Sequence, residues 1–343
     1  MITINQQPFL FLLWLVGVLC PYAAGNPLYI IDTDPGVDDA QALVVALHNN
    51  IVPKPNILAI ITAPGNAGPV QAAKNVVRLL KLLGRTDVPV YVGSERPIIE
   101  EHESDFYFGP DGFGGRPDMD PVFLEEDNRF IRPQNGILET IRLARQYPGK
   151  ITLVCLGPLT NLAMATRLDP HLKYLFKDIV VMGGNMQGRG NVEPAVEFNF
   201  QVDPEAAFIV VNDTNAIFYT WELAIENPVP WDWFDDYMSV DSPTARFLEV
   251  LFSKVVDSRK ARDLQYEIVD AAAVALALRP DLILEMEERP AFVELHGSGT
   301  RGTMIVDWRD DRDLPPTNAR IITKFDVPGV LQLIHESVRP LKP

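Results

Sequence analysis

Four carboxylates fall within eight residues near the start of the chain, in Asp32-Thr-Asp34-Pro-Gly-Val-Asp38-Asp39-Ala. Like charges held this close repel one another, and a segment that needed only to be polar would not concentrate them. A hard divalent cation would offset the repulsion: Ca²⁺ takes six to eight oxygen ligands, whereas Mg²⁺ uses fewer protein ligands and more waters. A carboxylate beside such an ion can also serve as a general base. Helix capping is the competing explanation, because Asp near a helix amino terminus is favoured by unpaired N–H groups and the helix dipole. Capping accounts for one or two of these acids and leaves the others unexplained. Gly36 permits the sharp turn that brings the Asp34 side toward the Asp39 side.

The cluster follows the apolar run Leu28 to Thr33 and precedes a helical pattern over Asp38 to Asn49, with Ala42, Val45 and Ala46 at helical spacing. Further strand-like runs are Ile57 to Thr62, Pro89 to Val92, Ile151 to Leu156, Ile179 to Met182, Ala216 to Thr220, Ala291 to Leu295, Thr303 to Val306 and Arg320 to Thr323. Helical stretches lie between many of them, at Val70 to Leu83, Asn135 to Gln146, Pro204 to Val211, Thr244 to Val256 and Ala271 to Leu278. Strands that are apolar on both faces and alternate with helices predict an α/β fold: one open, mainly parallel, Rossmann-like sheet with helices on both faces. With no internal repeat or low-complexity linker, residues 26–343 read as one domain. Ligands of such sheets bind beyond the carboxyl ends of the strands. Asn66, Leu156-Gly-Pro-Leu-Thr-Asn161 and Met182-Gly-Gly184 follow predicted strands; Glu197-Phe-Asn199 lies in a later loop, and Asp270 opens an alanine-rich helix. Singly these are turn, core and cap residues. Together they place carboxylates and amides at one edge of the sheet, as a polyhydroxylated ligand held on a metal requires.

The combination resembles the inosine-uridine-preferring nucleoside hydrolase family, from about Leu28 to the carboxyl-terminal helix. The resemblance rests on Asp32-Thr-Asp-Pro-Gly-Val-Asp-Asp-Ala40, supported by Gly157-Pro-Leu-Thr-Asn-Leu-Ala163, Val180-Val-Met-Gly-Gly184 and Glu197-Phe-Asn199 followed by Asp203-Pro-Glu-Ala-Ala207. It implies that Asp34, Asp39, Asp270 and the main-chain carbonyl of Leu156 bind Ca²⁺, with Asp34 also the general base. It implies further that Asp38, Asn66, Asn191, Glu197 and Asn199 bind ribose, that Met182 packs near the sugar and that Asp270 also borders the substrate. Asp32 is expected to support the turn. The activity implied is hydrolysis of the N-glycosidic bond of ribonucleosides, with 2′-deoxyribonucleosides disfavoured because buried polar groups would be left unpaired.

Two positions depart from the family pattern. Val269 stands where the inosine-uridine-preferring members usually carry a leaving-group His, and Phe108 where they often carry another. Phe106, Tyr107, Phe108, Trp221 and Tyr266 offer aromatic faces instead, which stack well on purines, so a purine preference is expected. His102, in the loop that carries Phe106, Tyr107 and Phe108, reads as a solvated histidine.

The 343 residues carry 46 Asp+Glu against 30 Lys+Arg, a net charge of −16, which disfavours nucleic-acid binding. The 47% hydrophobic content excludes a disordered chain. Residues Phe9 to Cys20 form an apolar run too short to span a bilayer but suited to a signal peptide over 1–25, with Ala23 and Gly25 before the cut. The expected product is secreted, free of membrane and assembled as a homo-oligomer, a dimer or tetramer as the resemblance implies. An uncleaved anchor is the alternative, since the leader lacks Lys and Arg. Asn212-Asp-Thr214 is an acceptor sequon for a glycan. Cys155, inside an apolar strand, reads as packed and inert. Two other functions fit parts of the pattern. Asp32-Thr-Asp34 after a strand also suits a haloacid-dehalogenase-like phosphatase, but Pro35 and the lack of a later Gly-Asp-x-x-x-Asp argue against it. Val269 allows a catalytically weakened nucleoside-binding protein of the same fold.

Overall fold

The computed structural model describes residues 26–48, 53–100, 107–309 and 315–340. The leader over 1–25, His102, Phe106 and Asn49 therefore lie outside the described residues. The first half of the chain forms β1 (Leu28–Thr33), α1 (Val37–Leu47), β2 (Asn56–Thr62), α2 (Pro69–Leu82), β3 (Val90–Val92), β4 (Ile131–Arg132), α3 (Gly136–Gln146), β5 (Ile151–Cys155), α4 (Thr160–Leu168) and β6 (Phe176–Met182). Then come α5 (Phe198–Val202), α6 (Pro204–Asp213), β7 (Ile217–Tyr219), α7 (Trp221–Glu226), α8 (Trp231–Met238), α9 (Pro243–Ala261) and α10 (Asp270–Leu278). The chain closes with β8 (Ile283–Arg289), β9 (Ala291–Val293), β10 (Met304–Val306), β11 (Ala319–Phe325) and α11 (Val327–Glu336).

Nine strands make one sheet in the order β4-β3-β2-β1-β5-β6-β7-β11-β8, and β9 pairs with β10 outside it. Every pairing in the large sheet is parallel except β11 with β8. From β1 the chain winds outward through β2, β3 and β4, then returns to β5 on the other side of β1 and winds the opposite way. This reversal between β1 and β5 opens a crevice at their carboxyl ends, where doubly wound sheets bind ligands. Both faces are covered: Ile30 and Ile31 of β1, Ile60 and Ile61 of β2, and Val180 and Val181 of β6 are all buried. All nine residues of α10 are buried as well; its alanines let it lie close against α1 and the sheet.

Helix starts follow local chemistry. Asn135, Asp203 and Ser242 each accept a hydrogen bond from a main-chain N–H of the first turn of α3, α6 and α9, and Pro243 at the first position lets α9 begin a residue before Thr244. β8 is absent from the sequence expectations. Its Leu-Glu-Met-Glu-Glu-Arg stretch is charged and mostly exposed, which an edge strand tolerates and a sequence pattern hides. Asn212 sits in the last turn of α6, with its Nδ2 donating to the Phe208 carbonyl at 2.9 Å. Cys155 is 1% exposed at the end of β5, as expected.

Candidate active site

The turn after β1 packs its carboxylates by hydrogen bonding rather than by charge pairing. Thr33 Oγ1 donates to Asp39 Oδ1, and the Gly36 N–H donates to Asp39 Oδ2 at 3.0 Å. Asp39 thus closes the loop onto the start of α1. Asp34 is 1% exposed and lies between the ends of β2 and β5: Oδ2 accepts the Asn66 N–H at 2.7 Å, and Oδ1 has no hydrogen-bond partner. A Cβ on Gly65 would stand 2.0 Å from Asp34 Oδ2, and one on Gly157 would stand 2.4 Å from Oδ1. Only glycine fits on either side. Asp32, one pleat back, accepts Asn161 Nδ2 at 3.3 Å. Asn161 also donates to the Thr62 carbonyl and accepts the Ser94 N–H at 2.7 Å, tying β1, β2 and the loop after β3 together.

The other wall comes from β5, β6, α5 and α10. Glu197 caps α5, with Oε1 accepting the Asn199 N–H at 2.8 Å and Oε2 accepting those of Gly184 at 2.9 Å and Phe200 at 3.2 Å. Asn199 Nδ2 donates to the carbonyls of Leu156 at 2.7 Å and Met182 at 3.1 Å. Asn191 Oδ1 accepts the Phe198 N–H at 2.9 Å. At the start of α10, Asp270 faces α1, and carboxylate oxygens of Asp38, Asp39 and Asp270 lie within 4.8 Å of one another. This trio includes Asp38, which the resemblance assigned to ribose, while Asp34 lies outside the pocket lining with one oxygen unpartnered.

Burial and mutual repulsion act on the whole group. Burial first, then the charges of Asp39 and Asp38, hold the Asp34 carboxyl well above the carboxylate range. Burial and Asp39 push Asp38 up to about 7, and burial raises Asp39 despite its hydrogen bonds. Asp270 is held well above the usual range by burial and then by Asp38, Asp39, Asp34 and Glu197. Burial carries Glu197 to about 7 and Asp32 to about 8. The charges acting on Asp270 are all negative, and a buried oxygen of Asp34 has no partner, so the donor set suits a hard divalent cation.

These groups floor a pocket of about 360 Å³. Asp38, Asp39, Asn66, Leu156, Met182, Asn191, Glu197, Asn199 and Asp270 all line it; of the predicted set only Asp34 does not. Val269 lines the pocket with Tyr107, Phe108, Trp221 and Tyr266, so four of the five aromatic candidates reach it. Sequence reasoning missed a stripe on α9. Phe252, Val255 and Arg259, continued by Arg262 just past its end, line the pocket at helical spacing, and that periodicity was the available signal. Arg259 pairs with Glu267 and donates through Nε to the Gln265 carbonyl at 2.7 Å, fastening the segment that leads to Asp270.

Residues 29–332 match the sequence pattern described as "Inosine-uridine preferring nucleoside hydrolase". The chain belongs to this nucleoside hydrolase family. A relative from Shigella boydii serotype 4 (strain Sb227), "Pyrimidine-specific ribonucleoside hydrolase RihA", is 30% identical over 317 residues, covering 90% of this chain and 97% of that protein. Among solved structures, "Inosine-Guanosine Nucleoside Hydrolase (IG-NH)" is 30% identical with a TM-score of 0.81, covering 91% of this chain and 98% of the other. "Plant nucleoside hydrolase - PpNRh1 enzyme" is 28% identical with a TM-score of 0.80, covering 92% and 99%. This nucleoside hydrolase is therefore a ribonucleoside-cleaving enzyme, and membership of the family removes the phosphatase alternative.

Proposed function

We propose that this nucleoside hydrolase is a secreted, Ca²⁺-dependent enzyme that releases ribose and the free base, with purine nucleosides preferred. The observation that carries the metal reading is the Asp38, Asp39 and Asp270 trio, backed by the unpartnered Oδ1 of Asp34. Asp34, Asp39, Asp270 and the Leu156 carbonyl, with Asp38 in reach, would hold Ca²⁺, whose charge supplies polarisation of a water beside the sugar. Asp34 accepts the proton of the attacking water at Oδ1. Loss of the base leaves positive charge on the ribosyl group, and Asp38, Glu197 and the metal-side carboxylates stabilise it in a water-poor pocket. Asn66, Asn191, Asn199 and Glu197 orient the sugar hydroxyls, and Met182 packs against the ring. Asn199 already spends its Nδ2 on two carbonyls, so its Oδ1 serves the sugar.

Purine preference rests on the base end of the pocket. Val269 cannot donate a proton, and Tyr107, Phe108, Trp221 and Tyr266 supply the stacking faces that favour a two-ring base. The relative named pyrimidine-specific favours the opposite reading. Steady-state rates with inosine and uridine, each with Ca²⁺ and with a chelator, decide both points: inosine is turned over faster and only with the metal, and faster uridine turnover overturns the preference. Secretion rests on the apolar leader, and amino-terminal sequencing of the product exported from a eukaryotic host should begin at Asn26. The exposed Asn212 is the glycan site that export would fill, and the exported enzyme is a homo-oligomer, as size-exclusion chromatography would register.

A further inference from the structure

Between β6 and α5, residues 183–197 bring Asn191 and Glu197 to the pocket without regular secondary structure of their own. Such a segment needs something to fix it. Glu222, in the first turn of α7, is fully buried beside the pocket-lining Trp221. Its Oε2 accepts the Met186 N–H at 2.8 Å, and its Oε1 accepts those of Gln187 at 2.9 Å and Arg189 at 3.0 Å. The Arg189 guanidinium turns instead to Glu226 at 3.2 Å. A buried carboxylate with three main-chain donors is held by geometry, because any outward movement of the segment strips its hydrogen bonds in a dry environment.

The same segment is pinned at neighbouring points. Trp221 N–H donates to the Gly184 carbonyl at 3.1 Å, and Trp308 Nε1 donates to the Met186 carbonyl at 2.9 Å. Asn185, fully buried, donates to the Arg189 carbonyl and accepts the Glu197 N–H at 3.2 Å. Glu222 therefore bears on the two sugar-side residues from both ends: through Arg189 toward Asn191, and through Met186 and Asn185 toward Glu197.

From this we infer that Glu222 is a positioning residue that sets the sugar-facing loop, and so fixes how strongly the enzyme discriminates among ribose hydroxyls. The inference rests on the proposed sugar-binding role of Asn191 and Glu197. Glu222→Gln keeps the side-chain size but turns one acceptor oxygen into a donor facing main-chain N–H groups, and Glu222→Ala removes both acceptors.

The test compares kcat/KM for inosine and its 2′-, 3′- and 5′-deoxy analogues in the Ca²⁺-loaded full-length wild type and Glu222→Gln. The variant should narrow the preference for inosine over at least one analogue by about tenfold, the loss expected when a buried charge-assisted hydrogen bond is broken. Amide exchange over 184–197 should quicken by about tenfold or more while β6 and β7 keep their protection. A residue that merely stabilised the fold would lower all four rates by one common factor; that result, or unchanged exchange over 184–197, overturns the inference. A wild type that leaves inosine intact refutes the substrate reading, and the exchange measurement still decides the loop anchor.

Discussion

Replacing Gly65 by Ala tests the slot that holds the Asp34 carboxylate. The added Cβ would lie 2.0 Å from Asp34 Oδ2, where real Cβ atoms keep at least 3.0 Å, so the carboxylate must retreat by about 1 Å. Its retreat is confined: the Gly157 backbone lies so close on the opposite side that a Cβ there would stand 2.4 Å from Oδ1, and moving also strains the 2.7 Å hydrogen bond from Asn66 N–H. Neither glycine has a positive φ, so alanine fits the backbone and the effect comes through contact alone. A misplacement of about 1 Å in a catalytic group costs about 10²-fold in rate, and overpacking a tight site costs about 1–3 kcal/mol of stability. Steady-state kcat/KM with inosine and a thermal melt measure the two. Gly65→Ala and Gly157→Ala should each lose about 10²-fold, whereas Gly68→Ala, three residues on with nothing within 4 Å of its Cβ, should keep its rate. Activity of Gly65→Ala within about threefold of wild type would refute the slot as the determinant of Asp34's position.

Further outcomes follow from charge and from the base end. Asp34, Asp38, Asp39, Asp270 and Glu197 have folded-state pKa values raised above the ordinary carboxylate range, to about 7 for Asp38 and Glu197. The folded chain then binds protons more tightly than the unfolded one, so chelated protein should lose melting temperature as the pH climbs from about 4 to about 7. Added Ca²⁺ should stabilise increasingly over the same window; chelated melts that rise or stay level, or a slope that Asp38→Asn leaves intact, count against the cluster as its cause. Val269→His puts an imidazole on the pocket wall, and the uridine-to-inosine rate ratio should increase with a new alkaline limb in the pH–rate profile. An unchanged ratio would mean that this position does not reach the leaving base.

The β1 turn was legible in the sequence because repulsion makes four clustered acids costly unless something uses them, and because an apolar run before them marks a strand end. Asn66, Leu156 and Met182 were legible for the same positional reason, each lying at the end of a predicted strand. The resemblance brought Asp39 and Asp270 to one site, but Asp38's place beside them was not legible. Asp38 joins Asp39 and Asp270 through the approach of α10 to α1, a packing event between residues more than two hundred positions apart. Glu222 was hidden for a different reason: it sits in the first turn of a helix, where an acid has an ordinary local explanation, and only the main-chain groups of a distant loop reveal its role, while Asn161 stood out after its strand but its bond to Asp32 did not. β8 was missed because its Glu-rich stretch violates strand preference, which an exposed edge permits.

Cys155 gives the protein a reporter of its own opening. Its sulfur is buried in the middle of the sheet, on a strand hydrogen-bonded to β1 on one side and β6 on the other, and burial holds the thiol well above its ordinary pKa. A thiol reagent can reach it only after the layer packed on that part of the sheet opens, so labelling counts openings at β5, whose Cys155 pairs with Asp32 of β1 and is followed directly by Leu156. In a Cys20→Ser chain that leaves a single thiol, the labelling rate becomes a clock for the sheet. Its slowing with added Ca²⁺ would read metal affinity without any substrate present.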